Sequence, residues 1–592
     1  MSEPATPENL PQWDLGDLYA APDAPEIELD LARGESLSKG FAAAYQGQLV
    51  GLNGDDLGQA IADYEIITEI LYKAMSYAQL LFAADVSDGE RGRFYQTTQE
   101  RVTDISTLTL FFRLELNRLD DDVLAKQLNN KKAAGFGPWI RDVRAFREHQ
   151  LSDDLEKLLH EKSVSGRAAW VRLFDETEAS LRFPLDGNDL SMSDVLNMMS
   201  DKDAKQRKKA AKVLGGVLGD NIKLFSLVTN TLAKDKAIED GWRSYPRPIS
   251  ERNLNNQVED EVVDALVSSV RASYPELSHR YYRLKSKWFG VDKLDYWDRN
   301  APLPEDDARI YDWPQARKMV LDAYGSFEPR LAQIAERFFD GRWIDAELRD
   351  GKDSGAFSHS TVPSVHPYIL MNFHGKARDV MTLAHELGHG VHQVLSGPQG
   401  TLMADTPLTT AETASVFGEM LTFRSLLDGE NTPAGRHILL AGKVEDMLNT
   451  VVRQIAFHTF EERVHDERAK GELSPERLGD IWMDVQRESL GDSIRFDDDY
   501  RSYWAYIPHF VHSPFYVYAY AFGDCLVNSL YDVFQGGHPG FQEKYLDMLS
   551  AGGTRRHKEL LAPFGLDASD PDFWKRGLGV VAGFVEELEN ME

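Results

Sequence analysis

The stretch His385-Glu386-Leu387-Gly388-His389 constrains this chain more than any other. It has the pattern H-E-x-x-H, which has chemical meaning only on a helix. There, residues four apart lie on one face, about one turn from each other. On a helix, both imidazoles can point a nitrogen at one metal ion, and Glu386 sits beside them, placed to take a proton from a water held there. The flanks fit that geometry. Asp379 suits a first turn, where negative charge complements the helix dipole. Val380, Leu383, Ala384, Leu387 and Val391 supply an apolar backing face, and Gly397-Pro398 ends the run. Gly388 and Gly390 each cost about 1 kcal/mol of helix propensity relative to alanine. Close approach of a neighbouring helix would justify them.

A catalytic zinc normally takes three protein ligands, so a second element must supply one more. Residues 406–423 are expected to form a single helix, with Thr406 as its cap and Pro407 at its first position. Glu412 and Glu419 fall seven apart and share a face around Ser415. Two acids on a largely apolar helix are costly to bury without a positive partner, and a zinc ion would be that partner. Glu412 is the expected third ligand. Glu419 is expected to accept from a ligand histidine or to orient its helix. His392, seven residues and about 10 Å along the helix from His385, is expected to be a core or supporting histidine.

Elsewhere, apolar residues recur at helical spacing over 57–85, 89–119, 121–128, 152–162 and 166–178. The pattern resumes near 202 and continues through 257–286 and 313–339. Residues 1–50, rich in proline and acids, are expected to be a loosely packed arm. Asp186-Gly187-Asn188 predicts a hairpin within 183–192. Short β-leaning runs over 342–373 predict a small antiparallel sheet just before the metal motif. The expected fold is mostly α, with a boundary near residue 200 separating 1–200 from 201–592.

Charge narrows the function classes. The 592 residues carry 65 basic and 96 acidic groups, a net −31, so no global basic field would attract nucleic acid. The basic run Lys202 to Lys212 is expected to be a solvated helix face. Cys525 is the single cysteine, which excludes an intrachain disulfide and fits a reducing compartment. An inert core thiol is expected. The N-terminus lacks a secretory pattern and no run approaches 18 apolar residues, so a soluble cytoplasmic protein without membrane association is expected. The glycines 577, 579 and 583 have the wrong spacing for a nucleotide loop and are assigned to helix packing.

Together these residues resemble the M3 family of zinc metallopeptidases, the thimet oligopeptidase and oligoendopeptidase F group. That family carries H-E-x-G-H on one helix and E-x-x-S-x-x-x-E on the next; this chain has His385 to His389, then Glu412, Ser415 and Glu419. Residues 343–359 resemble the family's strand segment flanking the substrate, and 507–523 its downstream His/Tyr segment. Residues 110–200 resemble the N-terminal region of oligoendopeptidase F. The resemblance implies a two-lobed, clam-like helical body with a deep central channel. It also implies one Zn2+ on His385, His389 and Glu412, with Glu386 as general base and oligopeptides as substrates.

The resemblance further implies that a histidine and tyrosines of the aromatic segment 496–522 donate to the oxyanion and the substrate backbone. His509, Tyr516 and Tyr520 are the expected donors, with Tyr518 as alternative. Better-known members carry a Gly-rich loop where this chain has Phe510-Val511-His512-Ser513-Pro514. Ser513-Pro514 is expected to open a helix on which Tyr516 and Tyr520 share a face. Two other readings stay open: a non-catalytic peptide-binding scaffold, which Glu386 argues against, and a zinc hydrolase of another class such as an aminopeptidase. Oligomeric state is left open.

Overall fold

The computed structural model describes residues 10–591, apart from 164, 304–308 and 354. The first nine residues of the expected arm lie outside them. The chain forms two compact units. The first takes Met1–Arg147, Ala308–Gly429 and Gly536–Gly565; the second takes Glu148–Asp307, Glu430–Gln535 and Leu566–Glu592. Helices dominate each, as the periodicity predicts.

In the first unit, the expected loose arm is a packed element. Trp13, Leu18 and Tyr19 are buried, and Pro25–Tyr45 is a helix that buries Ile27, Leu31 and Phe41. Their helical spacing is diluted by acidic neighbours, which hides it in the composition. Behind it runs the long helix Gly54–Ala83, capped by Asn53, whose side chain accepts from the amides of Asp55 and Asp56. The expected helix over 89–119 is two, Gly89–Thr107 and Leu110–Arg118. At the break the hydroxyls of Thr103, Ser106, Thr107 and Thr109 each bond a carbonyl three or four residues back, competing with the backbone ladder. The 313–339 pattern is likewise divided, into Trp313–Phe327 and Pro329–Asp340, because Pro329 cannot continue a helix.

The sheet before the metal motif is mixed rather than antiparallel. Strand Tyr368–Leu370 lies in the middle, parallel to Ile344–Asp345 and antiparallel to Phe357–His359. The N-terminal segment covers the far side of the first strand, where Ala346 N–H donates to the Pro11 carbonyl at 2.8 Å. A buried Lys352 pins the sheet, reaching Asp345 at 2.7 Å and the Met371 carbonyl at 2.6 Å. Helix Ala377–Ser396 packs on this sheet. Gln393 and Ser358 tie the two, with Ser358 Oγ donating to Gln393 Oε1 at 2.9 Å.

The second unit holds the expected hairpin, Phe183–Leu185 against Asn188–Leu190. Asp186 and Gly187 both take positive φ (51° and 89°), as a two-residue turn of this kind requires. The 257–286 pattern divides at Pro275 into Asp260–Ser273 and Ser278–Trp288. The basic run lies on helix Ala204–Asp220. Three of its cations are paired, Arg207 with Asp298, Lys209 with Asp186, and Lys212 with Asp497 and Asp499. Gly577 lies in helix Pro571–Glu589, where a Cβ would strike the Cys525 carbonyl, so it serves helix packing. Cys525 is buried, and burial pushes its thiol well above the usual range. Among the described residues no helix is long and apolar enough to cross a membrane.

Candidate metal centre

Helix Ala377–Ser396 carries the motif as the spacing demands. Asp379 accepts from the amides of His374 and Lys376 at 2.9 Å, closing the first turn. Val380, Leu383, Ala384, Leu387 and Val391 are all buried, so the opposite face presents His385 and His389 together. The second acidic element differs from expectation. Instead of one helix over 406–423 there is a short turn of helix, Leu408–Ala411, an interruption at 412–414, and a new helix Ser415–Gly429. Pro407 precedes the first helical residue, and Thr406 is not the cap. Threonine hydroxyls drive the break: Thr410 bonds back to the Pro407 carbonyl and Thr413 to that of Thr410. The Tyr545 hydroxyl takes the Thr413 carbonyl at 2.8 Å, so this carbonyl is satisfied outside any helix.

The break delivers Glu412 to the histidines. Glu412 Oε2 lies 3.4 Å from His385 Nε2 and 3.4 Å from His389 Nε2. Ligand atoms held about 2.0–2.1 Å from a tetrahedral zinc stand about 3.3–3.4 Å apart, so this spacing fits such an ion. The donor set fits as well. Glu419 Oε2 lies 3.2 Å from His385 Nδ1, so Nδ1–H can donate to it and Nε2, facing Glu412, is the nitrogen that would bind an ion. Ser415 Oγ donates to Glu412 Oε2 at 2.6 Å. Among the described residues, His385, His389 and Glu412 form the one group whose ligand atoms all lie within 4.8 Å of each other.

Gly388 explains how the two elements come so close. A Cβ there would strike the Ala414 carbonyl oxygen and sit 2.5 Å from the Ser415 Cα, both backbone atoms that cannot step aside. Gly390 likewise lies against the Phe338 ring.

The electrostatics are those of a buried acid–histidine cluster. Burial disfavours charge on His385, but the hydrogen bond to Glu419 and the carboxylates of Glu412 and Glu419 outweigh it and push it up to about 9. Burial pushes the Glu386 carboxyl up to about 7; it is only 6% exposed. His392 is buried and held down to about 4 by that burial, with Thr406 Oγ1 3.5 Å from its Nε2, so it is a neutral supporting histidine. A cavity of about 520 Å³ opens beside His389, walled by Tyr64, Thr68, Trp139, His359 and Thr361.

Sequence reasoning missed several contributors. The Tyr324 hydroxyl bonds the Ala384 carbonyl at 2.5 Å, one residue before His385. Tyr545, Tyr64 and Trp139 come from distant segments, and nothing local in the sequence marks them.

The downstream His/Tyr residues belong to the second unit, where they gather. His509 Nε2 is 3.4 Å from the Tyr520 hydroxyl, and the rings of Tyr516 and Tyr520 lie 5.3 Å apart. Burial holds His509 below its usual range. Ser513-Pro514 does not open a helix. A short helix His509–His512 comes first, and the next begins at Tyr518. Phe515 between them takes φ 58° and donates its N–H to Glu461. Tyr516 therefore precedes the helix, yet still meets Tyr520. Tyr518 points away, fully buried, its hydroxyl accepting from Asn256 at 2.9 Å.

The profile of peptidase family M3 matches residues 328–580, and that of oligopeptidase F residues 115–183. The chain is an M3-family metalloendopeptidase. Among curated M3 relatives, oligopeptidase PepF of Bacillus subtilis is 26% identical, over 98% of this chain and 86% of its own length. An oligoendopeptidase F homolog of Lactococcus lactis is 25% identical, over 98% and 97%. In fold, the crystal structure of oligoendopeptidase-F from Enterococcus faecium matches with a TM-score of 0.72 at 22% identity, over 96% of this chain and 98% of that one. A Chlamydophila abortus protein described as a peptidase matches with a TM-score of 0.87 at 22% identity, over 98% of each.

Proposed function

We propose that this M3 metallopeptidase is zinc-dependent and cuts internal bonds of short, unfolded oligopeptides. His385, His389 and Glu412 would hold the ion, and Glu386 would act as general base. The observation that carries the reading is the pair of 3.4 Å separations from Glu412 Oε2 to the two histidine nitrogens, with the buried Glu386 adjoining them. Zinc bound there supplies Lewis acidity, making water nucleophilic near neutral pH and polarising the scissile carbonyl.

The protein's own groups do the rest. Glu386 takes the proton of the attacking water and hands it to the leaving amine. Glu419 keeps His385 in the tautomer with Nε2 free, and Ser415 fixes the carboxylate of Glu412. Strand Phe357–His359 is paired on one side only among the described strands, so its free edge suits an extended peptide bound through backbone hydrogen bonds. Such binding reads little of the side chains and favours broad specificity. The cavity beside His389 takes a substrate side chain next to the cut. His509, Tyr516 and Tyr520 are proposed as donors to the developing oxyanion, on the strength of the family resemblance.

An internally quenched peptide with a blocked N-terminus tests the reading. The protein should cleave it, lose activity to a chelator and recover it with zinc. Failure on the blocked peptide with cleavage of its free-amine form would make it an aminopeptidase. Glu386→Gln should keep stoichiometric metal while kcat falls about 10²–10⁴-fold. An unchanged rate would remove Glu386 from the mechanism. Glu412→Ala should lose the metal.

A further inference from the structure

The second unit holds a cavity of about 230 Å³ whose lining includes none of the proposed metal ligands, the proposed base or the proposed oxyanion donors. Arg299 and Arg453 line it together with Tyr296, Tyr500, Tyr503 and Tyr506. Neither guanidinium has an ion-pair partner among the described residues. The carboxylate whose charge reaches Arg299, Glu445, is engaged by the buried Lys285 and by the Tyr281 hydroxyl at 2.8 Å. The nearby Arg207 is paired with Asp298. Arg453 rests over the Phe457 ring at 5.0 Å, and its Nε is buried with no hydrogen-bond partner. The Tyr296 hydroxyl approaches that of Tyr503, which is already donated to the Ala211 carbonyl at 2.9 Å. Tyr296 is left without a partner of hydrogen-bond geometry. Burial, and then the charge of Arg299, hold Arg453 below its usual range.

Two like charges facing one small cavity, with unpaired donors, form a costly arrangement. In a chain of net charge −31, attraction to bulk anions does not explain it. A bound anion would: planar guanidinium forks accept an oxyanion in paired, charge-assisted hydrogen bonds, and tyrosine hydroxyls complete its shell. Exposed Ser200 and Asn300 line the same cavity and give it access to solvent.

We propose that this cavity is a binding site for a small oxyanion, held by Arg299 and Arg453 and by the Tyr296 hydroxyl. Free phosphate and the terminal carboxylate of a peptide share that chemistry, and the test separates them. Thermal unfolding of the zinc-loaded protein should rise in midpoint with inorganic phosphate, following ordinary ligand linkage, beyond any effect of chloride at equal ionic strength. The rise should persist after chelation, which excludes phosphate on the metal. Arg453→Met and Arg299→Met should each weaken phosphate binding about ten-fold or more in calorimetric titration, and should be no less stable than the parent without phosphate. Arg453→Lys should bind with intermediate strength, and it serves, with Tyr296→Phe, if the methionine variants do not fold. A peptide with a free C-terminus that competes with phosphate, while its C-terminal amide does not, would make a peptide carboxylate the second occupant. Equal phosphate and chloride effects, or full phosphate affinity in both arginine variants, would overturn the proposal.

Discussion

Ser415 and Glu419 never reach the proposed metal, yet each controls one of its proposed ligands. Ser415 Oγ holds Glu412 Oε2 at 2.6 Å, and Glu419 Oε2 lies 3.2 Å from His385 Nδ1. Removing such a support costs about 10–100-fold in metal affinity. Ser415→Ala and Glu419→Gln should each show that loss in a chelator competition while their thermal midpoints stay near the parent's. Unchanged affinity in both would detach these residues from the site. Gly388→Ala should be more damaging, because its methyl meets backbone at Ala414 and Ser415 rather than a side chain that can swing away. Overpacking of this kind costs about 1–3 kcal/mol, and here the strain falls on the segment that carries Glu412. The expected readout is a lowered midpoint together with weakened metal binding. The pairing of His385 with His389 was legible because i, i+4 spacing on a helix fixes direction. Tyr324, which bonds the Ala384 carbonyl, was not legible, because its partner lies 60 positions away and a tyrosine in an apolar helix has no local mark.

At the scale of elements, the sequence resolved long helices well and their interruptions less well. Pro275 and Pro329 divide two runs that periodicity alone joins. The interruption at 412–414 has no proline; it comes from threonine hydroxyls and from Tyr545, and only the first of these is local. The sheet was placed correctly but paired incorrectly. Its strands are two or three residues long, too short for alternation to reveal direction, and parallel pairing of Ile344 with Ile369 depends on the path between them. The N-terminal segment shows the same effect. Trp13 packs edge-on to Tyr368 and the Pro11 carbonyl satisfies Ala346, so the supposed arm is the sheet's outer border. Deleting residues 1–20 should therefore lower the thermal midpoint and increase amide exchange at 344–347. A truncated protein with native protection there would refute that role.

Over the whole molecule, sequence order and spatial order part company. Both units are assembled from three separated segments, and no window of the sequence reports that. Thr401 and Leu402, just past the metal helix, are held by Glu69 at 2.9 Å and Glu65 at 3.2 Å from the long N-terminal helix. A fragment of residues 201–592 should therefore neither melt cooperatively nor bind zinc stoichiometrically. Native zinc affinity in that fragment would contradict the dependence. Stability should also vary with pH through Glu461. Burial pushes its carboxyl up to about 8 in the folded chain, so folding binds a proton that the unfolded chain releases near its ordinary value. That stabilisation is complete below pH ~4.5, falls by about 1.4 kcal/mol per unit as pH rises, and is gone above about 8. Denaturant titrations at pH 6 and 8 should show the fall, and Glu461→Gln should flatten it.

The segmented build of the first unit bears on synthesis. Tyr545, which secures the carbonyl beside Glu412, and Gly553, whose N–H bonds the Met403 carbonyl, belong to its last piece, Gly536–Gly565. These contacts can form only after that piece has left the ribosome. A nascent chain that lacks this piece should hold Glu412 loosely, and chains stalled before residue 536 should not bind zinc stoichiometrically.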